Sequence, residues 1–321
     1  MKRKRIKAAV CAAVMAFTLF GSLCPVDYHF MRETSVTASA EAAIWDGTED
    51  TAWYYQEHDV IVSENGERIA IFNIRTAEEL AGLAKLVRNG NNMKNTMINL
   101  VSDVTLNETT NFDNWDEQPP ANNWTAIGAV PIEAPNVNVV MTIQPECRNT
   151  VFAGMFNGNG HTISGMYSLH HNYAGLFART SGIITNVIVK DSYIQCINTQ
   201  KVESGDTALW EACAGGITAI CDRGVISHCE FDGKIFASGL NQVGYGTHGS
   251  FAGGIVGKFS DDENGVAAVV MMFALVPAGF LINPALFLTA SGQQVITDPG
   301  IYSCINRGSI YTEHGTDENG A

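Results

Sequence analysis

Residues Val151 to Ile194 read VFAGMFNGNGHTISGMYSLHHNYAGLFARTSGIITNVIVKDSYI. Short apolar runs alternate here with glycine and asparagine corners, at a spacing that suits strands and is too short for helices. Two later passages echo the pattern. One is Ala214-Gly215-Gly216-Ile217 leading to Ile226-Ser227-His228-Cys229, and the other is Ala252-Gly253-Gly254-Ile255-Val256-Gly257, continued only at Ile301-Tyr302-Ser303-Cys304. A strand unit that recurs in this way buries its apolar face only against its own neighbours, which is the logic of a solenoid. Gly175, Gly215 and Gly253 are therefore expected at equivalent corners, with Leu176, Ile217 and Ile255 beside them in the core.

The cysteines follow the same register. Aligning ISHCEFDGKI (Ile226–Ile235) with IYSCINRGSI (Ile301–Ile310) places Cys229 opposite Cys304 and Gly233 opposite Gly308, and Val187 takes the same place in the preceding unit. A valine equivalent means that the position points inward, where cysteine behaves as a small hydrophobe. Stacked neighbours about 4.8 Å apart would be within reach of a disulfide, but the two need not be adjacent, and a stack of buried thiols is the expectation. Cys147, Cys196, Cys213 and Cys221 complete the set behind the leader.

Residues 1–40 have the three parts of an export signal: a basic start (Lys2 to Lys7), an apolar run (Ala8 to Leu23) and small residues at Ala38-Ser39-Ala40. The whole chain carries 19 basic and 33 acidic residues, a net charge of −14. Cleavage after Ala40 removes six basic and two acidic residues and takes the charge from −14 to −18. Such a surface repels phosphate backbones, which argues against a nucleic-acid partner.

Residues 41–95 form a polar, aromatic-dotted segment ending in a helix. Thr76 and Glu79 make a capping box, Leu80, Leu83, Ala84 and Val87 share one face, Lys85 and Arg88 sit near the C-terminal end, and Gly90 supplies the left-handed stop. An amphipathic helix at this place caps the exposed edge of the first repeat. The repeats are expected over 96–260, with early strands at Ile98–Val101, Val104–Leu106, Trp124–Ile127 and Val137–Ile143. The loop Asn107–Asn123 carries Asp113, Trp115, Asp116 and Glu117. Exposed aromatics beside carboxylates can stack on sugar rings and accept hydrogen bonds from their hydroxyls, and the same residues also serve as ordinary loop contacts.

The order TAEELAGLAKLV, WTAIG, VFAGMFNGNGHTISGM and AGLFARTSGIITNVIV resembles bacterial surface proteins carrying GLUG repeats. The same module occurs in the N-terminal, non-catalytic region of immunoglobulin A-specific metallopeptidases. The resemblance spans Trp45 to Ile255, with a fragment at Ile301 to Ile310. It implies an all-β chain folded as a right-handed parallel β-helix outside the cell, in which Phe156 to Ile163 form the turn-and-strand signature and Ile163 points inward.

Catalytic patterns are weak. Zinc peptidases of that kind need two histidines one helical turn apart beside a glutamate, and His161, His170, His171, His228, His248 and His314 lack the spacing. His161 and His228 flank strands and read as turn or surface residues. No Gly-x-Ser-x-Gly elbow occurs. Asp191, Glu230, Asp232, Asp261, Asp262 and Glu263 would furnish a carboxylate row of the type used by carbohydrate-active β-helix enzymes, although Asp261 to Glu263 also read as a solvated turn or a loose calcium site. No catalytic, cofactor or metal residue is assigned. The expectation is a secreted or cell-surface adhesion module for a host or cell-surface protein or glycan, with a polysaccharide lyase or glycosidase as the alternative.

Residues 261–300 interrupt a repeat that resumes, truncated, over 301–321. Val266 to Ala290 is uncharged and long enough to span a bilayer, but Pro277 and Asn283-Pro284 break it and neither flank is basic. An inserted element is expected, helical from Val266 to Val276 and folded against the repeats or a partner chain, with membrane contact through 266–290 as the alternative.

Overall fold

The structure is a computed structural model that describes residues 43–62, 66–129, 151–198, 211–241, 250–260, 267–268 and 299–316. The leader, the strand expected over Val137–Ile143, Cys147, His248 and Asp261 to Glu263 lie outside the described residues. So does the apolar insertion, apart from Ala267–Ala268. That pair was expected to begin a helix and is instead a two-residue strand, antiparallel to Phe259-Ser260.

The described chain is all-β with one α-helix, and its sheets are built chiefly by parallel pairing. From Met155 onward it visits four sheets in one fixed order. Met155–Asn157 enters the first sheet, Thr162–Ser164 and Tyr167–His170 the long sheet, Tyr173–Ala174 the third, and Phe177–Thr180 the fourth. Ile183–Thr185, Ile188–Asn198, Ala212–Gly215 and Thr218–Asp222 repeat the order. Val225–Ser227, Glu230–Asn241, Ser250–Gly253 and Val256–Ser260 repeat it again, and Gly300–Tyr302, Ile305–Asn306 and Ser309–Thr316 start another pass. Upstream, Arg68–Ile74 and Thr96–Leu100 extend the first sheet. An antiparallel hairpin of Asp59–Val62 with Arg68–Ile74 forms its edge, a feature absent from the sequence reading.

Register explains the core. Parallel pairing stacks Ile98, Phe156, Ile184 and Ile226 in one column, and Val104, Ile163, Val189 and Phe231 in another. All eight are buried, Ile163 among them as expected. Each such side chain removed from water stabilises the fold by about 1.5–3 kcal/mol. Leu176, Ile217 and Ile255 are likewise buried. Gly215 pairs with Gly253, while Gly175 lies so close under Gly215 that a Cβ on Gly175 would stand 2.2 Å from the Gly215 carbonyl oxygen. The second glycine of each pair has its own purpose: a Cβ on Gly216 would meet the Phe231 ring at 2.4 Å.

The corner between the first and long sheets repeats as well. Asn186, His228 and Ser303 occupy equivalent places at φ of 54°, 53° and 51°, and Val187, Cys229 and Cys304 follow them into the core. In the earlier pass, Asn159 and Gly160 take left-handed conformations within the longer Gly158–His161 corner.

The helix spans Ala77–Arg88, with Thr76 accepting from the Glu79 amide at 3.2 Å. Glu79 reaches back one residue further than a capping box requires, to the Arg75 amide. Gly90 at φ +97° ends it. Leu80, Leu83 and Val87 are fully buried and join the main core. At the far end, Lys85 and Arg88 close on Glu49 at 3.2 and 2.8 Å.

Candidate functional site

Strand alternation divides the long sheet into two faces. Ser168, Ile194 and Ile235 point inward and are buried. Outward lie two rows in register: Tyr167, Tyr193, Lys234 and Ser309, and beside it Leu169, Gln195, Phe236 and Tyr311.

The loop Asn107–Asn123 covers the first row. Trp115 is buried against Tyr167, ring centroids 6.1 Å apart and edge-on, and Tyr167 stacks on Tyr193 at 5.7 Å. Burial pushes both phenols up. Lys234 Nζ donates to the Asp113 carbonyl at 2.8 Å, pairs with its carboxylate at 3.2 Å and lies 5.2 Å over the Phe112 ring. Asn107 anchors the loop base by donating to the Asn122 and Gly165 carbonyls. Trp115 therefore offers no face to a sugar, and of the loop's carboxylates Asp113 is paired with Lys234, Glu108 accepts from Thr110, and Asp116 and Glu117 are exposed. The second row is different. Leu169, Gln195 and Phe236 are half-buried and Tyr311 is 60% exposed.

The carboxylates named from the sequence lie further along the same sheet. Asp191 sits at a bulge at φ 46°, and Asp232 is in register with Lys190. Glu230 accepts from Arg307 Nε at 2.8 Å, and this contact, followed by the charge of Asp232, pushes the guanidinium up. Acid faces base across these strands, so carboxylates do not converge here.

Of the described histidines, His161 and His228 sit at corners and His170 is the buried last residue of a strand. His161 Nδ1 lies 3.1 Å from Asp103 Oδ1. His228 holds its left-handed corner, and burial keeps its imidazole below the usual range. His170 Nδ1 accepts the Asn172 and Tyr173 amides. Among the described residues, no three His, Cys, Asp or Glu side chains are grouped to hold a metal.

A separate cleft of about 510 Å³ lies beside the N-terminal hairpin, over Trp53 and Phe72 and rimmed by Gln56, His58, Arg75 and Glu79. His58 tilts over Phe72 with centroids 4.5 Å apart. The cleft holds no carboxylate of the expected row. Sequence reading missed it because the hairpin that forms it has no local signature beyond a polar stretch.

No family model, curated protein or solved structure matches the chain. Among the described residues no helix is long and apolar enough to cross a membrane.

Proposed function

We propose that this chain is a right-handed parallel β-helix of the GLUG-repeat type, displayed outside the cell. In this reading, the outer face of its long sheet binds a host or cell-surface protein or glycan without acting on it chemically. The observation that carries the proposal is the row Leu169, Gln195, Phe236 and Tyr311, which crosses four neighbouring parallel strands beside the covered aromatic row. Strand spacing of about 4.8 Å repeats the contact regularly, which suits an extended ligand. The aromatic rings offer stacking area, and Gln195 offers a donor and an acceptor. The fixed order of sheet visits and the in-register columns support the β-helix, and the leader supports export. A net charge of −14 disfavours a nucleic-acid ligand.

The second reading, a carbohydrate-active enzyme, draws on one observation: Asp191, Glu230, Asp232 and Lys190 lie on the same sheet. Against it stands the pairing of Glu230 with Arg307. Both readings are tested by applying the full chain to arrays of glycans and extracellular-matrix proteins, and by assaying in parallel for reducing ends or unsaturated products from acidic polysaccharides and for zinc-dependent peptide cleavage. Binding without turnover is expected. Product release from a polysaccharide would move the assignment to the enzyme, and absence of binding to every array member would overturn the adhesion reading.

A further inference from the structure

We infer that Cys229 and Cys304 form a site of reversible disulfide formation, which staples residues 299–316 onto the preceding pass of the chain. The register places them together: Ser227 pairs with Tyr302 and Glu230 with Ile305, so the two cysteines between these partners face one another. The Ile305 amide donates to the Cys229 carbonyl at 2.9 Å, closing the corner around them. Neighbouring parallel strands hold Cα atoms about 4.8 Å apart, inside the window of about 4.4–6.8 Å that a disulfide spans. Each thiol points into the core and donates to the carbonyl two residues before it, at 3.3 Å in both cases. Both are free thiols.

Their environments differ in a way that assigns roles. Cys229 is 1% exposed and Cys304 8%. Burial pushes the Cys229 thiol up, whereas the neighbouring Cys229 side chain holds the Cys304 thiol below its ordinary value. Cys304 is thus the entry point, since the thiolate is the nucleophile. With a small disulfide as oxidant, the Cys304 thiolate attacks one sulfur and expels a thiolate. The Cys229 sulfur then attacks the Cys304 sulfur of the mixed disulfide, and its proton is taken up by the second thiolate as that leaves. One S–S bond forms in the protein, one breaks in the oxidant, and the oxidant leaves as two reduced thiols.

The bond would close a loop containing the whole 261–298 segment. Long loops gain most from such a link, because the unfolded ensemble loses the most freedom. Stability of the last pass would then depend on the redox state of its surroundings.

The test incubates the full chain with oxidised glutathione, then measures intact mass, maps linked peptides and compares melting temperatures with a reduced sample. The expected result is loss of two hydrogens, a single linkage between Cys229 and Cys304, and a rise of at least about 5 °C that reducing agent reverses. Cys304→Val copies the valine found at the equivalent position Val187 and keeps the core filled, so it should fold and show no rise. Separate glutathione adducts on the two cysteines, a linkage of either to another cysteine, or an equal rise in Cys304→Val would each overturn the inference.

Discussion

Asn157 donates its side-chain amide to Asn99 Oδ1 at 3.2 Å, and on its other side accepts from Asn186 Nδ2 at 3.2 Å. Asn99 in turn donates to Asn73 at 3.1 Å. Asn73, Asn99 and Asn157 form a polar ladder across successive parallel strands of the first sheet, Asn186 joins it from the following corner, and Thr185, in register with Asn157, accepts from Ser227 at 3.0 Å. Such a ladder requires every strand to be in register, because a slip of one residue turns each side chain to the opposite face.

Replacing Asn157 with Ala should therefore cost about 1–3 kcal/mol, since it leaves the buried Asn186 amide and the Asn159 backbone amide without their acceptor. Urea unfolding of the two proteins measures it. An unchanged midpoint would mean that the ladder is not made.

Ile217 is fully buried between passes, and an unpaired carboxylate there enters a dry stack. Ile217→Asp is expected to lose about 4 kcal/mol or more, and Gly216→Ala to lose stability through the contact of its Cβ with the Phe231 ring. Melting temperature reads both. A soluble Ile217→Asp with an unaltered transition would contradict the register.

Trp115→Ala separates structure from recognition in the covering loop. A buried tryptophan that packs on Tyr167 should cost about 3 kcal/mol when truncated. If calorimetry found no change while glycan binding fell, the residue would be a sugar platform and the packing account would fail.

Glu49 gives a pH signature. Burial pushes its carboxyl up, but Arg88 and then Lys85 outweigh that and hold it below the usual carboxylate range. A depressed carboxylate stabilises above its unfolded pKa, and its contribution disappears as pH falls through the folded value. Because the pair is partly exposed, the effect is about 0.5 kcal/mol. Glu49→Gln should lower stability at about pH 7 and match the parent at about pH 3, as chemical denaturation at each pH would report.

Much of the architecture was legible because glycine corners and inward columns repeat locally: Gly215 with Gly253, Cys229 with Cys304, and the cap from Thr76 to Gly90 appear where the pattern places them. The asparagine ladder was not, since Asn73, Asn99, Asn157 and Asn186 become neighbours only after corners of unequal length have been closed. Trp115 was ambiguous for a related reason: a loop aromatic reads alike whether it faces solvent or a tyrosine pair on a distant strand. The outer row was equally hidden, because Leu169, Gln195, Phe236 and Tyr311 share no motif and only register aligns them.

The central claim rests on that row, and the most direct measurement is the affinity of the full chain and of Phe236→Ser/Tyr311→Ser for whichever array glycan or matrix protein the parent binds. The account predicts at least a tenfold loss, roughly 1.4 kcal/mol, with the melting transition retained. Undiminished affinity in a folded double variant would contradict it.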